Sequence, residues 1–187
     1  MALIGCSSNH LGPDPVPPPP LPSASASAAP SAALPRPSPR DTDPRWLRAR
    51  EADPAEKARL ADAEGATGLL EGVEDGGDNA LTALSALPFA GDGELALRRL
   101  GELGLRPGAL PRRAVLSAIL GVSGQPRRQR EALDPEGAIA CGKAVIALAQ
   151  RADLPREERA LAVSAARALA ELGYVDAAAI PGDLDPK

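Results

Sequence analysis

The sequence predicts an all-α fold, and three observations agree on it. Apolar residues make up 44% of the 187 residues but aromatic residues only 2%. A core must therefore be built from Ala, Leu, Val and Ile, and small side chains let helices approach one another closely. Helix-start signals recur along the chain, whereas the alternating apolar-polar pattern of strands does not. We expect short antiparallel helix pairs after a proline-rich tail.

Start and stop signals place the helices in order. Asp53-Pro54 and Asp134-Pro135 put a capping aspartate before a proline at the first helical position, and Pro155 is followed by two acids. Four glycines predict helix ends: Gly65, Gly104, Gly121 and Gly173. Apolar residues follow at helical spacing. The predicted helices span residues 44–51, 54–64, 66–74, 78–88, 93–104, 111–121, 135–150 and 155–172.

The N-terminal tail has a different composition from the rest. Residues 1–42 hold 11 of the 21 prolines, together with many serines and alanines. Such a segment cannot bury enough apolar surface to offset its ordering entropy, so we predict a disordered linker over 1–42 and a helical domain over 43–187. Extended at about 3.1 Å per residue, the linker would reach on the order of 100 Å. Deleting it is expected to leave the melting temperature nearly unchanged.

Two stretches of the helical part echo each other. "LRRLGELGL" at 97–105 and "ARALAELGY" at 166–174 both end in Glu-Leu-Gly and an apolar residue. With the paired helix signals around them, they resemble degenerate HEAT-type repeats over about residues 66–174. The resemblance implies a small HEAT-like α-solenoid whose faces bind proteins or peptides. An irregular helical bundle is the alternative.

The chain opens with "MALIGCSSNH". Leu3, Ile4, Gly5 and Cys6 resemble the lipobox of bacterial lipoproteins. The resemblance implies that Cys6 carries the lipid, becomes the mature N-terminus and attaches the protein to a membrane. Ser7 is similar to the residue that follows the cysteine in lipoproteins exported to the outer membrane. Two or more acyl chains give stable anchoring where one does not.

A signal peptide needs a basic region and an apolar run before such a cysteine, and only two residues precede the lipobox-like pattern. We therefore expect a start upstream of Met1 or a truncated chain. The alternative is a chance match in a cytosolic protein, in which Cys6 remains a free thiol.

Charge and residue content narrow the function classes. The net charge is -4, which argues against nucleic acid as the main partner. Two cysteines far apart and a single histidine in the tail do not form a zinc site, and no nucleophile-base pair or phosphate-binding glycine pattern is found. The sequence predicts no enzyme activity, no metal, no cofactor and no small-molecule substrate.

A few residues have two interpretations each. Five arginines fall in neighbouring connections, as solvated charges or as a patch for anionic lipid or an acidic protein: Arg112, Arg113, Arg127, Arg128 and Arg130. Cys141 is expected to be a buried, unreactive thiol. Trp46 and Leu47 are expected to cover the apolar end of the helices, a docking anchor being the alternative.

Together these features predict a lipid-anchored envelope protein, at the outer membrane and facing the periplasm or the surface. It would act as a non-catalytic helical adaptor for a protein partner. The alternative is a cytosolic HEAT-like interaction module with a disordered N-terminal arm.

Overall fold

A computed structural model describes residues 37–51, 53–105, 108, 110–124 and 134–182. Within these ranges every regular element is helical, which confirms the predicted all-α class. The α-helices described are α1 (Pro44–Arg50), α2 (Pro54–Asp75), α3 (Gly77–Ala86), α4 (Leu97–Leu105), α5 (Arg112–Gly124), α6 (Pro135–Ala149) and α7 (Arg156–Glu171). Short 3₁₀ helices lie at Pro39–Asp41, Leu87–Phe89, Gly93–Ala96 and Ala177–Ala179.

The predicted capping aspartates begin their helices. The Asp53 carboxylate accepts a hydrogen bond from the Ala55 N–H at 2.8 Å, and Asp134 accepts one from the Gly137 N–H at 2.9 Å. Both satisfy N–H groups that have no partner inside the helix. Pro155 is itself the N-cap of α7 and offers no side-chain acceptor, so this helix begins one residue later than predicted.

Helix α2 contains a break at Gly65. Its φ of 62° leaves the helical region, which glycine does without a steric penalty. The Ala66 N–H after the break donates to Asp92 Oδ1 at 3.0 Å, so a carboxylate 26 residues away caps the second half. The predicted helices 54–64 and 66–74 are therefore the two halves of one kinked element.

Two other glycines that predict helix ends differ in outcome. α4 ends at Leu105, within one residue of Gly104, whereas α5 continues beyond Gly121 to Gly124. A Cβ at Gly121 would lie 2.5 Å from Pro88 Cγ, so the missing side chain lets α5 approach the turn after α3. Gly173, with φ of 80°, follows the end of α7 as predicted.

Several pairs of consecutive helices pack together. α2 packs on α3, α4 on α5, and α6 on α7. Alternate helices also pack together, α3 on α5, α4 on α6 and α5 on α7. One continuous apolar core joins all seven described α-helices and consists mainly of Ala, Leu, Val and Ile, as the composition predicts.

The contact between α4 and α6 depends on a glycine. A Cβ at Gly101 would lie 2.8 Å from Cys141 Cα, which is closer than real side chains pack, and 3.3 Å from its Sγ. The two helix backbones therefore approach one another directly. Small residues at a crossing shorten the distance between helix axes. The absence of a side chain at Gly101 therefore allows α4 and α6 to pack this closely.

Part of the predicted linker packs on the helices. Residues 37–42, which we call the strap, contain the 3₁₀ helix Pro39–Asp41. The Ser38 hydroxyl and the Asp41 carboxylate form a reciprocal capping box at its start. The sequence does not predict this regular structure of residues 37–42. Residues 1–36 of the predicted linker lie outside the described ranges. No described helix is long and apolar enough to cross a membrane.

Candidate functional site

Most residues of the two predicted sites lie outside the described ranges. These are Leu3, Ile4, Gly5 and Cys6 of the lipobox-like pattern and Arg127, Arg128 and Arg130 of the arginine patch. The lipidation site therefore stays a prediction, as does the patch as a whole.

The two described arginines of the patch are paired with carboxylates. Arg112 Nη1 lies 2.9 Å from Glu158 Oε2, and Arg113 Nη1 lies 3.0 Å from Glu157 Oε2. These pairs join the start of α5 to the first turn of α7. Since each positive charge here faces a negative one, this part of the patch offers little net charge to an acidic partner.

Trp46 is buried in the core, at 1% exposure. The edge of its ring occupies the space that a side chain at Gly72 would fill, so α1 packs tightly on α2. This burial agrees with the interpretation of Trp46 as a covering residue. Leu47, which is expected to cover the helices together with Trp46, is instead 43% exposed.

Arg40 of the strap lies over the face of the Trp46 ring, with the guanidinium carbon 5.2 Å from the ring centroid. Its Nη2 lies 2.7 Å from Glu71 Oε2 and its Nη1 lies 3.0 Å from Asp75 Oδ2. Nη2 also donates to the Gly68 carbonyl oxygen at 3.5 Å. We call Trp46, Gly68, Glu71 and Asp75 the guanidinium pocket.

Partial burial lowers the pKa of the Arg40 guanidinium, but its hydrogen bonds to Asp75 and Glu71 raise the pKa more, and the net shift is upward. Hydrogen bonds to a charged form favour that form. The pocket therefore stabilises a cation, and the cation it holds is a planar one.

Beside the pocket, a buried amide joins the strap to two helices. Asn79 of α3 is 3% exposed. Its Nδ2 donates to Asp41 Oδ1 at 2.9 Å, and its Oδ1 accepts from Arg50 Nη2 at 2.9 Å. A buried amide without partners would be costly, so this network fixes the strap, α1 and α3 relative to one another.

A surface depression of about 300 Å³ lies next to this network, lined by Arg50, Asp78, Leu81, Thr82 and Ser85. Leu81 is 44% exposed. The Thr82 hydroxyl donates to the Asp78 carbonyl and the Ser85 hydroxyl to the Thr82 carbonyl, both at 2.8 Å. Their oxygens remain acceptors, so the depression combines an exposed leucine with polar groups, as protein interfaces do.

Cys141 is buried between α6 and α4, and burial raises the pKa of its thiol to about 12. Thiolate is the reactive form, so Cys141 is unreactive near neutral pH, as expected. In the described part of the chain, no three side chains of the metal-binding types lie close enough together to hold a metal ion.

No protein-family model matches the chain, and no curated protein or solved structure is significantly similar to it. The resemblances to lipoproteins and to HEAT-type repeats therefore rest on the residues quoted above.

Proposed function

We propose that the protein is a lipid-anchored envelope protein whose helical unit is a non-catalytic adaptor for another protein. The observation that supports the adaptor function is the order of helix packing. Each of the pairs α2–α3, α4–α5 and α6–α7 packs internally. In the last two pairs both helices pack on their counterparts, α4 on α6 and α5 on α7, and between the first two pairs α3 packs on α5. Stacked pairs of this kind form α-solenoids, which present extended binding faces.

The sequence echo does not add to this support. Residues 97–105 form α4, the first helix of its pair, whereas residues 166–174 include the end of α7, the second helix of its pair. Segments in different positions of the pair are not equivalent repeats. The HEAT-like proposal therefore depends on the packing order, and an irregular bundle is its competitor.

Hydrogen exchange of the native protein distinguishes the two architectures. In a stacked array each pair contacts only its neighbours, so the pairs open in separate steps of different free energy. We expect α6–α7 to exchange by openings that leave α2–α3 protected. A single protection level for the slowest amides of all three pairs would indicate one bundle that opens as a unit.

The depression at Leu81 is the surface we assign to the partner. An exposed leucine surrounded by Arg50, Asp78 and two hydroxyls gives a small apolar centre with a polar rim. Leu81→Ser would remove that centre without touching the core, because the side chain is 44% exposed. Ile139→Ser on α6, where the side chain is 37% exposed, is the matched control.

The lipid anchor is supported by Leu3-Ile4-Gly5-Cys6 and by the proline-rich segment that follows. Intact-mass spectrometry of the protein from its native host tests it. We expect residues 1–5 to be absent and the mass to be increased by acyl groups, and Cys6→Ser to abolish both changes. A native protein that keeps residues 1–5 with an unmodified Cys6 would leave the cytosolic interaction module as the function.

A further inference from the structure

The guanidinium pocket holds its ligand with three kinds of group. The Trp46 ring face attracts a cation, and the carboxylates of Glu71 and Asp75 lie against two different nitrogens at 2.7 and 3.0 Å. The Gly68 carbonyl accepts from the same guanidinium. A planar, delocalised cation with several fixed donors satisfies all of these groups at once, whereas a lysine presents a single nitrogen.

The pocket and the strap differ in how firmly they are held. Trp46 belongs to the core, and Glu71 and Asp75 project from α2. The 3₁₀ helix of the strap contains no buried residue, and the strap meets the helices through polar contacts. Partly exposed ion pairs contribute little stability and weaken with salt. Displacing the strap breaks these ion pairs and also the hydrogen bond between Asp41 and the buried Asn79, while Trp46 stays held by the core and the two carboxylates by α2.

We propose that this pocket is a guanidinium-binding site which Arg40 occupies as an internal ligand, and which an arginine side chain of a partner protein enters by displacing the strap. The inference rests on the proposed adaptor function for the source of that arginine. In the closed state the strap blocks the site, so the partner competes with Arg40.

An internal competitor lowers the apparent affinity for an external ligand, because the linked group is present at high effective concentration. Removing the Arg40 side chain should therefore strengthen binding of an arginine peptide rather than weaken it. A merely structural role for Arg40 predicts no such gain.

The test is a titration of the full-length protein and of Arg40→Ala with the capped peptide PSPRDT, which is the strap's own sequence. Trp46 is the single tryptophan, so its fluorescence reports directly on the pocket. We expect Arg40→Ala to bind the peptide about tenfold or more tightly than the wild type does. A peptide with citrulline in place of arginine has the same shape without the charge and should bind about tenfold or more weakly.

Matched acid substitutions locate the binding. Combined with Arg40→Ala, Glu71→Gln and Asp75→Asn together should abolish the gain. Glu74→Gln on the same helix should keep it, because Glu74 pairs with Arg99 instead, at 3.1 Å. Equal affinity of the wild type and Arg40→Ala, or equal affinity for the arginine and citrulline peptides, would overturn the proposal.

If Arg40→Ala loses helical content by circular dichroism, Arg40→Lys takes its place under the same criteria, since it keeps a cation near Trp46. The titration does not depend on acylation of Cys6. A failed titration with an acylated native protein would reject the guanidinium site alone, and tight arginine binding with an unmodified Cys6 would reject the anchor alone.

Discussion

The contact between α4 and α6 and the strap end of the helical unit are held together by opposite kinds of interaction. At the first, the backbones approach through Gly101 and Cys141 within the apolar core. At the second, Arg40, Asp41 and Asn79 form ion pairs and hydrogen bonds. Apolar packing is not weakened by charge screening, whereas ion pairs at a surface are. The contact between α4 and α6 should therefore keep its stability when salt is added, whereas the attachment of the strap should weaken.

The largest expected effect is on the apolar core. Leu169 of α7 is fully buried, at 0% exposure. Leu169→Asp would bury an unpaired charge, and we expect it to cost about 4 kcal/mol or more, enough to prevent folding. Leu172→Asp should cost less because Leu172 is only partly buried. Circular dichroism melts measure both, and a folded Leu169→Asp protein would show that the core admits water.

A smaller effect tests the glycine contact itself. Gly101→Ala places a Cβ 2.8 Å from Cys141 Cα and should destabilise the protein by about 1–3 kcal/mol through overpacking. Gly104→Ala in the same helix meets Val115 Cγ1 at 3.6 Å, an ordinary contact. It should instead stabilise by up to about 1 kcal/mol through helix propensity. Urea unfolding measures the free energy of unfolding of both variants. A Gly101→Ala protein as stable as Gly104→Ala would contradict the close approach of the two helices.

The strap should contribute less, and in a salt-dependent way. A chain that begins at residue 37 keeps Arg40 and Asp41 and should melt like the full-length protein. A chain that begins at residue 43 loses both and leaves the buried Asn79 amide without one partner, at a cost of about 1–2 kcal/mol. This revises the expectation that removing residues 1–42 leaves the melting temperature nearly unchanged. Equal melting of the two chains at low salt would restore it.

The smallest effect concerns a polar contact at the rim of α4–α6. Arg98 hydrogen-bonds to Asp134 and, with the Gly137 N–H, lowers the pKa of that carboxyl to about 2. A carboxyl whose pKa is lowered by folding stabilises the folded state at pH values above its ordinary pKa. This stabilisation is lost as the pH falls through the pKa of the folded state. Asp134→Asn should therefore melt slightly lower at neutral pH, because an exposed ion pair contributes little, and the difference should vanish between about pH 4 and pH 2. A pH-independent difference would mean that the charge of Asp134 does not matter.

The sequence predicts those features that depend on interactions between residues close together in the chain. The Asp-Pro starts at Asp53 and Asp134 depend on bonds within a few residues, and both are confirmed. Gly121 and Gly173 both predict helix ends, yet α5 continues beyond Gly121 whereas α7 ends before Gly173. A Cβ at Gly121 would lie 2.5 Å from Pro88 Cγ, so the role of this glycine depends on a tertiary contact.

The candidate sites show the same limit. Composition assigns the strap to a linker because its partners lie far away in the sequence. Arg40 is held by the carboxylates of Glu71 and Asp75, which lie more than thirty positions later. Glu157 marks a helix start in the sequence, and its second role as the partner of Arg113 appears only in three dimensions. The charge pattern of the sequence therefore shows where the arginines cluster along the chain but not which carboxylates pair with them.

The kink in α2 also bears on how this protein's relatives are to be recognised. Gly65 supplies a backbone conformation, and Asp92 supplies the acceptor for the N–H that this conformation frees. Neither residue is useful without the other, so in diverging sequences they should be inherited or lost as a pair. A glycine and an acid that covary across this spacing would be a more lasting mark of common descent than the helices around them.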